Sequence, residues 1–106
     1  MNDLQETEPT RAEIDAMSGP VVVEFGASWC GFCIALRPHV SKLLTGFPDI
    51  RHMRIEDGPG QPLGRSFQVK LWPTLVLMRD GQLVQKLVRP SPGQVRAGLE
   101  TLTQAK

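Results

Sequence analysis

Two thiols stand two residues apart in the stretch Trp29-Cys30-Gly31-Phe32-Cys33, and they are the only cysteines of the chain. Just upstream, Val21 to Phe25 is a β-branched, apolar run interrupted by one carboxylate, Glu24. Such a run reads as a strand covered on both faces. Cys30 therefore falls where that strand has ended and the next helix begins. A helix start offers unpaired backbone N–H groups and a partial positive charge, and both stabilise a thiolate. A more acidic thiol is nucleophilic near neutral pH, and the spacing puts Cys33 within disulfide reach one turn later. Thiol–disulfide exchange needs this arrangement of one exposed attacker and one tethered thiol to resolve the mixed disulfide.

Other chemistries fit less well. Structural zinc would need Cys30 and Cys33 to join His39 and His52, the only histidines. Their spacing departs from the usual finger patterns, with His39 on an expected helix and His52 on an expected strand. An iron–sulfur cluster normally takes four cysteines. Two buried thiols without a role form the third alternative, since Cys packs as a small hydrophobe. Gly31 between the thiols and Trp29 before them weigh against it. Redox chemistry is the expectation, with no metal and no bound cofactor, because the electrons reside in the cysteine pair.

The elements that must position this pair follow from pattern. Pro9 and Thr10 open a short helix that ends before Gly19. From Cys33 to Leu44, Leu36, Val40, Leu43 and Leu44 recur at helical spacing. Pro38 inside that pattern should kink the helix, and Gly46 and Pro48 close it. Ile50 to Glu56 alternates as a strand, with Met53 and Ile55 on one face. A Gly/Pro-rich segment follows, with room for one short helix near Leu63 to Phe67. Thr74 to Met78 and Leu83 to Arg89 read as a hairpin turning at Asp80-Gly81. Ser91 caps a last helix with Pro92 in its first turn and an apolar stripe of Val95, Leu99 and Leu102. A parallel βαβ beginning followed by an antiparallel hairpin implies an α/β fold: a central mixed sheet flanked by helices.

The totals suit one domain over residues 1–106 with a single core, about 1–8 being a flexible N-terminus. Apolar residues are 41% of the 106, and ten glycines bring this near half, the usual figure for a globular protein. No apolar run approaches the ~20 residues of a membrane span. The polar, acidic N-terminus lacks the basic start and apolar stretch of a secretory signal, so a cytoplasmic location is expected. The net charge of +1 gives no reason to expect nucleic acid as a partner. It is unevenly spread: six acidic residues and one basic up to Glu24 (1 − 6 = −5), then eleven basic and five acidic (11 − 5 = +6). The plain reading is a solvated surface with an acidic first helix.

Taken together, the motifs resemble the thioredoxin family over nearly the whole chain. Trp29-Cys30-Gly31-Phe32-Cys33 is similar to the family's Trp-Cys-Gly-X-Cys motif. Pro38 matches the proline that kinks its active-site helix, Trp72-Pro73-Thr74 its cis-proline loop facing the cysteines, and Gly81 its hairpin glycine. The resemblance implies a thioredoxin fold and a monomeric thiol–disulfide oxidoreductase that reduces protein disulfides. Cys30 would attack and Cys33 resolve. Trp29, Gly31, Phe32, Trp72, Pro73, Thr74 and Arg89 would border the substrate groove, where a client segment pairs as an added strand. Its partners would be disulfide-containing client proteins and an electron-donating reductase of the thioredoxin reductase kind. An alternative is a thioredoxin-like binding or assembly-chaperone module whose redox activity is incidental.

Several residues depart from the family's pattern. Glu24 stands where the family has a buried aspartate. A carboxylate beneath the sulfurs can take and return the proton of Cys33 if burial disfavours its charge. In that case neutralising Glu24 is expected to stabilise the fold; the alternative turns Glu24 to solvent on the face of Val22. Phe32 replaces a proline, Trp72 replaces a smaller aliphatic and should narrow the groove, and Arg89 lies near a groove glycine. Arg37, Lys70 and Arg89 are expected to form a positive rim around Cys30 that favours acidic clients.

Overall fold

The computed structural model of the protein describes residues 8–104. The expected N-terminal tail falls largely on residues 1–7, outside the described residues; Glu8, at its end, accepts a hydrogen bond from Leu63 N–H at 2.9 Å. Eight elements follow: α1 (Arg11–Asp15), β1 (Pro20–Gly26), α2 (Gly31–Leu44), β2 (Arg51–Glu56), α3 (Pro62–Ser66), β3 (Thr74–Arg79), β4 (Gln82–Val88) and α4 (Pro92–Gln104). Their order is the one expected from the periodicities.

Local chemistry sets the ends. Thr10 and Glu13 form a reciprocal capping box on α1, which satisfies two donors that a helix start leaves open. Ser91 and Gln94 do the same for α4, at 3.2 and 2.8 Å. Asp80 and Gly81 have φ of 50° and 77°, as the mirror-image hairpin turn requires. A Cβ at Gly81 would also collide with the carbonyl oxygen of Asp15, so this turn needs glycine for space as well as for φ.

The four strands form one mixed sheet in the order β2-β1-β3-β4. β1 runs parallel to β2, while β1–β3 and β3–β4 are antiparallel. Because side chains alternate along a strand, β1 serves two cores. Val21, Val23 and Phe25 face one side with Ile14, Met53, Ile55, Leu63 and Phe67. Val22 faces the other with Leu36 and Val40 of α2 and Val95, Leu99 and Leu102 of α4. The same parity puts Glu24 and Gly26 on the α2 side. Among the described residues, no helix is long and apolar enough to cross a membrane.

Candidate functional site

The loop from β1 to α2 carries the cysteines. Cys30 is the residue before the first turn of α2, with extended backbone and no side-chain cap of its own. Its own N–H donates to Ala27 C=O at 3.1 Å, closing the turn that presents it. Neither cysteine is in a disulfide. Cys30 is 8% exposed and Cys33 2%, so the thiol nearer solvent is Cys30.

Their acidities diverge for physical reasons. The Cys33 thiol hydrogen-bonds the Cys30 sulfur, and this is the largest influence drawing the Cys30 pKa below its ordinary 9.0. Backbone N–H groups of Cys33 and Phe32 and the charge of Arg89 act the same way, against the opposing effect of burial. Cys33 moves oppositely: burial first, then its bond to Cys30, push its pKa to about 11. The pair therefore holds one thiol poised to ionise and one that keeps its proton.

Beneath them lies a charged cluster that tertiary pairing assembles. Glu24 is buried, at 3% exposure, and sits directly opposite Arg54 in the parallel β1–β2 register. Its Oε1 lies 3.1 Å from Arg54 Nη2 and 2.8 Å from His52 Nε2. Arg54 Nη2 also donates to Ser41 Oγ on α2 at 3.2 Å. The carboxylate thus turns inward, beside basic partners. This reverses the expected effect of neutralising Glu24: removing its charge would leave a buried guanidinium without its counter-ion. A small cavity of about 10 Å³, lined by Glu24, Cys33, Arg37, Arg54 and Pro73 among others, lies between the carboxylate and the Cys33 thiol. That is room for roughly one water. Gly26 keeps the junction open, since a Cβ there would lie 2.7 Å from Cys33 Sγ.

The end of β2 fastens both loops around the cysteines. Glu56 accepts from Ser28 N–H at 3.0 and 3.2 Å, holding the β1–α2 loop. Asp57 Oδ2 accepts from Trp72 Nε1 at 2.9 Å, holding the opposite loop. The Trp72–Pro73 peptide is cis, and Pro73 C=O accepts from Arg89 N–H at 2.8 Å. Thr74 Oγ1 donates to Leu71 C=O at 2.6 Å, closing the turn from within. Trp72 is half-buried and meets the exposed Trp29 edge-on, with ring centroids 5.6 Å apart.

The residues singled out in the sequence fall in three places. Trp29, Cys30, Phe32, Cys33, Trp72, Pro73 and Arg89 come together at the cysteines, with Gly31 opening α2 and Thr74 at the base of the loop. Pro38 lies on the exposed side of α2 and Gly81 at the far turn of the hairpin. Arg54, Glu56 and Asp57 are site residues that the sequence reading missed. His52, weighed there as a zinc ligand, is the partner of Glu24, and among the described residues no group of three or more His, Cys, Asp or Glu could hold a metal. The alternation of Arg51–Glu56 carried a signal for Arg54: with Met53 and Ile55 facing one core, His52 and Arg54 must face the other.

A sequence model described as Thioredoxin matches residues 4–101. Mitochondrial thioredoxin-3 of Saccharomyces cerevisiae is 33% identical over 77% of this chain and 65% of its own length. Thioredoxin Asp f 28 of Aspergillus fumigatus is 37% identical over 67% of this chain and 66% of its own. The chain thus spans slightly under two thirds of these curated relatives. The reduced form of thioredoxin 2 from Pseudomonas aeruginosa is 44% identical, superposes with a TM-score of 0.85, and covers 97% of this chain and 96% of its own.

Proposed function

Because the chain belongs to the thioredoxin family, we propose that it is a thiol–disulfide oxidoreductase that reduces protein disulfides through Cys30 and Cys33. The observation that carries the reading is the divergence of the two thiols at the start of α2, one favoured as thiolate and one held protonated up to about 11. In the first step the Cys30 thiolate attacks one sulfur of a client disulfide. A Cys30–client disulfide forms, and the client's other sulfur leaves as a thiolate and takes a proton. In the second, Cys33 loses its proton into the water-sized cavity it shares with Glu24 and attacks Cys30 Sγ. The Cys30–Cys33 disulfide forms and the client's second thiolate departs. Two electrons have moved from the protein dithiol to the client, and an external dithiol reductase, of the thioredoxin reductase kind, restores the pair.

No bound cofactor enters this cycle. Clients lie along the groove of Trp29, Gly31, Phe32, Trp72, Pro73, Thr74 and Arg89, and the protein acts as a monomer in a reducing compartment such as the cytoplasm. A binding or assembly-chaperone role is not favoured, because the relatives are named thioredoxins and both thiols are present in a reactive arrangement. The test is a pair of variants. Cys30→Ser should abolish disulfide reduction, and Cys33→Ser should accumulate a mixed disulfide on Cys30. Reduction that survives in Cys30→Ser would refute the reading.

A further inference from the structure

Three residues that depart from the family's pattern, Phe32, Trp72 and Arg89, are far apart in sequence and touch in space. Arg89 Nε donates to Trp72 C=O at 2.8 Å, and its guanidinium carbon sits 4.4 Å from the centroid of the Phe32 ring. Backbone and side chain of one residue thereby span the hairpin, the Trp72–Pro73 loop and the turn between the cysteines. Arg89 also has φ of 47°, a region that side chains other than glycine's rarely adopt. A residue kept in such a conformation beside reactive groups points to a role for its side chain.

The fork is only partly used. Its Nη1 and Nη2 groups have no hydrogen-bond partner among the described residues. Nε and the ring face hold the plane of the guanidinium in place, so little freedom is lost when a ligand binds its outer edge. A planar cation with parallel N–H groups matches a carboxylate in two-pronged fashion. The other two expected rim cations are placed differently: Lys70 is exposed before the loop, and Arg37 lines the small cavity with Glu24 and Cys33.

We propose that Arg89 is a specificity-determining residue that reads a carboxylate beside the client's target disulfide, so that the preferred clients carry Asp or Glu flanking the cysteine. The inference rests on the exchange reading above and adds its substrate class. It differs from steering by a diffuse positive rim, because one fixed side chain makes the contact. The same charge favours the Cys30 thiolate, so changes at Arg89 alter the rate for every client, and the informative quantity is a ratio between two clients.

Two cyclic disulfide peptides, identical except for Glu or Gln beside one cysteine, serve as substrates at about 0.15 M salt with an excess of dithiothreitol as electron donor. For wild type, kcat/KM for the Glu peptide should exceed that for the Gln peptide about five-fold, as expected of one solvent-accessible ion pair. Arg89→Gly, which suits the backbone at this position, should bring the ratio to about one. Arg89→Lys, with charge but no fork, should leave about two-fold. Equal rates for the two peptides with wild type would overturn the preference alone. A ratio that survives in Arg89→Gly would assign it to other cations. If wild type reduces neither peptide, the oxidoreductase reading falls and the preference falls with it.

Discussion

Neutralising the buried carboxylate by Glu24→Gln should destabilise the protein by an amount its surroundings set. Breaking a buried ion pair from one side costs about 3–5 kcal/mol, because the remaining charge is stranded. Two features soften this here. Gln keeps an oxygen that can accept from Arg54 and His52 where Oε1 now does, at 3.1 and 2.8 Å. Arg54 also keeps Ser41 Oγ at 3.2 Å. A cost of about 2–3 kcal/mol remains, since a neutral acceptor contributes roughly half of a charged one. With a urea slope of about 1.5 kcal/mol/M for a domain of this size, the unfolding midpoint of the oxidised form should fall by roughly 1–2 M. Arg54→Met in the Gln background should recover most of that loss, because removing both charges avoids the stranded one. Using the oxidised form keeps thiol titration out of the measurement. An unchanged or higher midpoint for Glu24→Gln, or no recovery in the double variant, would show that the ion pair does not hold this carboxylate. The same variant should slow resolution by Cys33, read as a longer-lived mixed disulfide in single-turnover mixing.

Gly26→Ala should push Cys33 Sγ from its place, since the added Cβ would lie 2.7 Å from it. Overpacking of this kind costs about 1–3 kcal/mol, and the mixed disulfide on Cys30 should persist; resolution at the wild-type rate would mean that the sulfur moves aside freely. Iodoacetamide below pH 9.0 should label Cys30 and spare Cys33, whose proton is held to about 11; equal labelling would reverse the assigned roles. For Cys33 the native state binds the proton more tightly than the unfolded chain, so its stability contribution is complete below 9.0 and lost as pH rises toward about 11. The reduced protein should therefore lose stability relative to the oxidised protein across that interval, and parallel pH curves for the two forms would refute the assignment.

Much of this protein is legible from local sequence. Strand and helix periodicities, the Asp80-Gly81 turn, the Ser91 cap and the reactive spacing of Cys30 and Cys33 depend on near neighbours along the chain, and the chain alone specifies them. The mixed sheet followed as well, because a strand covered on both faces and a two-residue hairpin admit few arrangements. What surrounds Glu24 was decided elsewhere. Its fate depends on the register that sets Arg54 opposite it, and a shift of one residue would replace Arg54 with Met53 or Ile55. The grip of Asp57 on Trp72 and of Arg89 on Phe32 and Trp72 likewise joins residues that only the folded sheet brings together. A sequence determines which residues can ionise, stack or donate; whether a buried charge meets its counter-charge is settled by strand pairing, because these contacts act over a few ångströms and the chain reaches them only by folding.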